Sequence, residues 1–167
     1  MAASPKRVLW DACTWIALIQ QEKNIIADGI DRYTRCRTVI DLAAKGKIEI
    51  VCSALCLAEV CKNKDLRDQD PSHIARFFEH EYLLAIALGR EIAETARGLM
   101  MAGIPKLKPA DACHVASALE VPGVTEMHTF DDDLIAQSGK LQKRDGASLK
   151  ICYPDAGGPV PPLLKGA

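Results

Sequence analysis

The amino-acid sequence predicts an α/β protein, a three-layer α/β/α sandwich around a central, mainly parallel sheet of about five strands. Short apolar runs of strand character alternate along the chain with longer runs whose apolar residues recur at helical spacing. The chain has 167 residues, 49% of them apolar, enough to bury one good core, and no internal repeat is visible. Residues 1–153 are expected to form a single domain. The Pro- and Gly-rich remainder, 154–167, is expected to lie loosely on the surface or stay flexible.

The elements follow in order. RVLW (7–10) reads as a buried first strand, and DACTWIALIQ leaves it towards a helix. IDRYTRCRTVIDLAAKGK (30–47) carries a helical pattern with Gly46 as its stop. IEIVC (48–52) is the second strand, and Ser53 is placed to cap a helix through SALCLAEVCKN. Asp70 and Pro71 mark another helix start, since proline at the first helical position loses no needed hydrogen bond. YLLAIAL (82–88) is a third strand, and REIAETARGLMMA (90–102) and residues 109–120 are helices. VTEMHTF (124–130) and LKICY (149–153) complete the sheet.

Composition excludes several classes. A formal net charge of −1 argues against a general nucleic-acid coating protein, which needs a strong positive field. No run approaches the ~20 apolar residues of a membrane span, and MAASPKR lacks the apolar stretch of a secretory signal, so a cytoplasmic location is expected. Seven cysteines, an odd number set mostly in apolar runs, point to reduced thiols. Cys52 with Cys56, and Cys113 beside His114, match no usual zinc spacing.

Four acids stand out once the strands are placed. Asp11 follows the first strand, Asp131 follows strand 124–130 within TFDDD, and Asp111 lies in the first turn of helix 109–120. Glu59 sits on the helix after the second strand between Leu57, Ala58, Val60 and Cys61, a segment that gives it no packing role. In open parallel sheets, ligand sites form outside the carboxyl ends of the strands, where Asp11 and Asp131 should both stand. Each acid alone has a plainer reading: Asp11 as a helix cap, Asp111 as a favourable charge near a helix dipole, Asp131–Asp133 as a solvated turn. An unpaired Glu59 among apolar neighbours is costly if buried. His114, three residues after Asp111, falls near the same helix face. It suits either a histidine that steadies the site through a hydrogen bond or a general acid.

The segments VLWDACTWI, SALCLAEV, KPADACHVASAL and HTFDDDL, in this order, resemble the PIN-domain nucleases, including the VapC-type toxins of toxin–antitoxin systems. The resemblance spans about residues 7–153. It implies a PIN-like fold, dependence on Mg2+ or Mn2+, cleavage of RNA, and catalytic, metal-binding acids at Asp11, Glu59, Asp111 and Asp131. It also implies an antitoxin protein as partner, while the apolar faces of the early helices suit a homodimer. Many members follow the first Asp with Thr-Ser or Thr-Asn. Ala12 and Cys13 depart from that, leaving Thr14 to support Asp11. The triple acid leaves Asp131 and Asp133 as alternatives for the last position, and the spacing from Thr129 favours Asp131.

The chemistry agrees with those residue types. Phosphodiester hydrolysis needs charge neutralised on the phosphate and a nucleophile drawn from water, and divalent ions, alone or as a pair ~3.5–4 Å apart, supply both. Carboxylates suit magnesium, a hard cation that keeps several waters. Arg32, Arg35, Arg37, Lys140, Lys143 and Arg144 suit either a phosphate cradle or ordinary solvated faces. Two rivals stand beside the nuclease: a catalytically silent PIN-fold module that binds RNA or protein, and a phosphohydrolase of the haloacid-dehalogenase class. The second usually needs another Asp two positions after the first, where this chain has Cys13. Asp11→Asn or Asp111→Asn is expected to abolish cleavage. Relief of carboxylate repulsion is expected to raise the melting temperature of the metal-free protein.

Overall fold

A computed structural model describes residues 4–26 and 28–157. Its elements are β1 (Lys6–Trp10), α1 (Ala12–Ile19), α2 (Arg32–Ala44), β2 (Ile48–Ser53), α3 (Leu55–Glu59), a 3-10 turn (Val60–Lys62), α4 (Lys64–Arg67), α5 (Pro71–Arg76), β3 (Leu83–Ile86), α6 (Arg90–Met101), α7 (Pro109–Glu120), β4 (Val124–His128), α8 (Asp132–Ile135) and β5 (Lys150–Cys152). The five strands pair in the order β3-β2-β1-β4-β5, every pair parallel.

Alternation along the strands divides the core between the two faces of the sheet. Val8 and Trp10 of β1, with Ile48, Ile50 and Cys52 of β2, pack under α1 and α2. Leu9, Val51, Met127 and Ile151 face the other way, against Val115, Ala118 and Leu119 of α7. Helices on both faces of a parallel sheet make the three layers that the sequence predicts.

From β1 the connections run to β2 and β3 on one side, and the chain then crosses to β4 and β5 on the other. The switch point therefore lies between β1 and β4, where such sheets open a crevice beyond their carboxyl ends. Because α7 precedes β4, its N-terminal turn is brought to that same rim.

Several predicted boundaries shift. Strand 124–130 ends at His128: the Thr129 amide still donates to the Cys152 carbonyl at 3.0 Å, but the Phe130 amide turns to Cys13 Sγ at 3.3 Å. The edge strand β3 is shorter than 82–88 and only half-buried, with Leu84 and Leu88 exposed. The helix expected from Ser53 to Asn63 breaks into α3 and the 3-10 turn, because Asn63 takes extended backbone angles and caps α4. Ser53 itself closes β2, although its hydroxyl accepts from the Leu55 amide at 3.2 Å. Gly46 stops α2 at φ +69°, a left-handed angle that favours glycine.

The tail also differs at its start: Pro154 is buried and its carbonyl accepts from Arg35 at 3.0 Å. Residues 158–167, on which the expectation of a flexible tail falls, lie outside the described residues. All seven cysteines are free thiols. No helix among the described residues is long and apolar enough to cross a membrane.

Candidate active site

A cleft of about 150 Å³ opens at the carboxyl rim of the sheet, lined by Asp11, Glu59, Asp111 and Asp131 with Cys13, Lys62, Lys108 and His114. Four separate elements deliver the acids: the turn from β1 into α1, the end of α3, the first turn of α7, and the turn from β4 into α8.

Asp11 is 4% exposed and held from every side. Its Oδ1 accepts from the Thr14 amide at 3.1 Å, capping α1, with the Thr14 hydroxyl at 2.9 Å and the Cys13 thiol at 3.0 Å. Its Oδ2 accepts from the Thr129 hydroxyl at 2.6 Å. Thr129 Oγ1 in turn accepts the Asp131 amide at 3.0 Å, so one hydroxyl ties two of the acids together. The plainer reading of Asp11 as a helix cap is therefore correct, and the same carboxylate also faces the cleft.

Thr14 supplies the support expected of it, and Cys13 adds to that support. Cys13 does not leave that acid without support: besides donating to Oδ1, its sulfur accepts from the Phe130 amide. Burial, reinforced by the Asp11 charge, pushes the Cys13 thiol well up, so it remains a protonated donor. Asp133 is exposed, pairs with Lys106 at 3.2 Å and is not among the cleft-lining residues, whereas Asp131 is.

Glu59 and His114 form a second unit. His114 is buried, its Nε2 stands 2.6 Å from Glu59 Oε2, and its Nδ1 faces the Cys56 thiol at 3.8 Å. Lys62, one turn after Glu59, donates to its Oε1 at 3.2 Å. The His114 hydrogen bond, against the opposing effect of burial, holds the Glu59 carboxyl below its usual range. Asp111 is the opposite case. Burial, then the charges of Asp131, Asp11 and Glu59, push it up. Lys62 and Lys108 escaped the sequence analysis; the one available signal was Lys62 at helical spacing from Glu59.

The acids share a cleft but stay spread. Among the described residues, the one group of three or more metal-type ligands whose atoms all lie within 4.8 Å of one another is Glu126, His128 and Cys152, away from the cleft. That group does not suit a metal. His128 Nδ1 accepts the Trp10 indole N–H at 3.0 Å, which places the ring proton on Nε2, facing Glu126 at 3.0 Å. A metal on Nε2 would drive that proton to Nδ1, against another donor. Glu126 is already paired with Lys6 at 2.5 Å and Lys150 at 3.2 Å.

The basic residues named from the sequence do not line the cleft, and Arg35 and Lys143 are largely buried rather than solvated. Arg32 pairs with Glu22, Arg35 with Asp28 and Arg37 with Asp41. Lys143 and Arg144 line a different pocket, beside Val121 to Gly123 at the opposite end of β4.

The five-strand parallel sheet with helices on both faces matches a PIN-like α/β/α fold. No family model and no curated protein matches the chain. Among solved structures it is similar to VapC20 of Mycobacterium tuberculosis, described as a sarcin-ricin loop cleaving toxin. The two share 17% identity over 77% of this chain and 93% of that one, with a TM-score of 0.57. It is also similar to VapBC2 of Rickettsia felis, solved bound to a DNA fragment from its promoter. Here the identity is 16% over 87% and 98% of the two chains, with a TM-score of 0.54.

Proposed function

We infer that the chain is a divalent-metal-dependent endoribonuclease that hydrolyses RNA phosphodiester bonds, acting in the cytoplasm as the toxin of a toxin–antitoxin pair. One observation carries it: Asp11, Glu59, Asp111 and Asp131, 120 positions apart at the extremes, line a single cleft at the switch point of the sheet.

The donor set fits a hard ion, Mg2+ or Mn2+. It offers carboxylate oxygens, and Asp111 carries a charge that its three acidic neighbours disfavour and a cation would relieve. The spread of the acids suits an ion that keeps several waters and takes few protein ligands. A divalent ion held there would neutralise charge on a phosphodiester and make water more acidic.

Asp11 and Asp111 are the ligands. Thr129, Thr14 and Cys13 orient Asp11 through neutral donors and leave its charge in place. Asp131 and Glu59 bind a second ion or orient water, and one of them takes the proton of the nucleophile. His114 is a positioning residue, since it meets Glu59 and its ring is almost fully buried.

RNA as substrate is supported by the description of the VapC20 structure, and a partner antitoxin by the VapBC2 complex. Against a silent binding module stand the Cys13 and Thr14 donors, which supply the support to Asp11 that the departure at Ala12 and Cys13 put in question. The test is incubation with labelled RNA and, separately, with a chromogenic phosphomonoester, each with Mn2+ or with chelator. Mn2+-dependent cutting of RNA alone is expected. Monoester turnover would favour the phosphohydrolase, and neither activity would favour the binding module.

A further inference from the structure

The geometry points to Lys62 as a resident cation that takes the place of a second metal ion, so that the cleft holds a single divalent ion served by Asp11, Asp111 and Asp131. This rests on the metal-dependent reading above and settles a choice that reading leaves open.

The partners of the acids differ in charge. Asp11 is surrounded by a hydroxyl from each of Thr14 and Thr129, a thiol and an amide, all neutral, so its negative charge stays available to a cation. Glu59 has both oxygens engaged: Oε2 with the buried His114 at 2.6 Å and Oε1 with the Lys62 ammonium at 3.2 Å. Turning Oε2 towards an ion would leave the His114 N–H unsatisfied in the interior. Turning Oε1 would bring a divalent ion against an ammonium.

The pair is also built by local structure. The 3-10 turn Val60–Lys62 directly follows α3 and sets Lys62 three residues beyond Glu59, on the same side. The Glu59 side chain is 15% exposed and Lys62 is 55% exposed, so the ammonium lies on the solvent side of the carboxylate, where substrate would enter.

Charge balance leads to the same stoichiometry. Four carboxylates face two ammonium groups, Lys62 and Lys108, and the two uncompensated negative charges match one divalent ion. With that ion in place, a phosphodiester would meet a metal on the Asp11 side and an ammonium on the Glu59 side. Together they would supply the positive charge to the phosphate that a pair of metal ions would otherwise supply.

Mn2+ binding to the full chain, followed by the electron paramagnetic resonance of free Mn2+ during equilibrium titration, tests this. Wild type and Lys62→Arg should each bind one ion. Lys62→Met, which keeps the stem and removes the charge at an exposed position, should bind two, and the double variant Lys62→Met with Glu59→Gln should return to one. Circular dichroism confirms that each variant is folded. Two ions on wild type, one on Lys62→Met, or two on the double variant overturns the assignment of Lys62 while leaving the nuclease reading in place. No ion on wild type overturns the metal-dependent reading itself, and this inference with it.

Discussion

Thr129 shows how much of the site hangs on single side chains. Its hydroxyl donates to Asp11 Oδ2 and accepts the Asp131 amide, joining the ends of β1 and β4 in one hydrogen-bond chain. Valine has nearly the same shape and neither function. Thr129→Val should leave a folded protein whose Mn2+ affinity and RNA cleavage fall by about 10–100-fold, the usual loss when a residue orienting a metal ligand is removed; calorimetric titration and a cleavage time course measure the two effects. Asp111 and Asp11 should respond differently to neutralisation. Burial and then the charges of three neighbouring acids push the Asp111 carboxyl up, so Asp111→Asn should raise the melting temperature of the metal-free protein. About 1 kcal/mol of relieved repulsion corresponds to ~2–4 °C in a chain of this size. Asp11→Asn should not gain in the same way, because its carboxylate caps α1 and accepts from three side chains. The expectation that removing either acid stabilises the metal-free protein therefore narrows to Asp111, and differential scanning calorimetry of the two variants in chelator checks it. At this scale Asp11, Asp111 and Asp131 were legible because each stands just past a strand or at a helix start, and Glu59 because it is an acid set among apolar neighbours. Cys13 was not, since a thiol in an apolar run looks like core and its contact with the Phe130 amide depends on a turn 117 residues away.

Elements with clear end signals were read most accurately. Helix 109–120 begins at Pro109 and ends at Glu120 as expected, and Asp70 and Pro71 open α5. Segments whose ends depend on distant partners were read less well. Strand β4 stops at His128 because the following turn belongs to the site, and the run after Ser53 breaks because Asn63 restarts the chain as α4. Strand β4 also carries a buried charge that its sequence does not reveal, Glu126, 3% exposed. Burial alone would raise its pKa; hydrogen bonds from His128 and Lys6 outweigh that and hold it at about 2, against an ordinary 4.5. An acid depressed on folding contributes stability that is complete above the unfolded pKa and disappears as pH falls through the folded one. The loss should therefore run from about pH 4.5 down to about 2. At neutral pH the contribution is at most about 3 kcal/mol, and less to the extent that Lys6 and Lys150 are open to solvent. Glu126→Gln should be less stable than wild type at pH 7, with the two melting temperatures converging towards pH 2–3. A constant gap across the titration would show that packing, not charge, is the loss.

For the whole molecule, a parallel sheet with one reversal of strand order gathers residues that are distant in sequence. Asp11 and Asp131 stand past neighbouring strands β1 and β4, Glu59 follows β2 on the far side of β1, and α7 returns Asp111 to the same rim. The convergence was legible because parallel strands force it: every strand must leave at the same edge of the sheet, Asp11 and Asp131 immediately follow strands, Glu59 lies on the short helix after one, and Asp111 opens the helix that returns to one. The charge balance within the cleft was not legible. Lys62 reaches it from the 3-10 turn that continues α3, and Lys108 from the residue just before α7. The central claim is that these acids hold a divalent cation. It is tested most directly by the melting temperature of wild type and Asp111→Asn as Mn2+ is added, since an ion that binds only the folded state stabilises it. Wild type should rise progressively with Mn2+ while Asp111→Asn stays where it was in chelator. An equal rise in both proteins, or no rise in wild type, would contradict the claim.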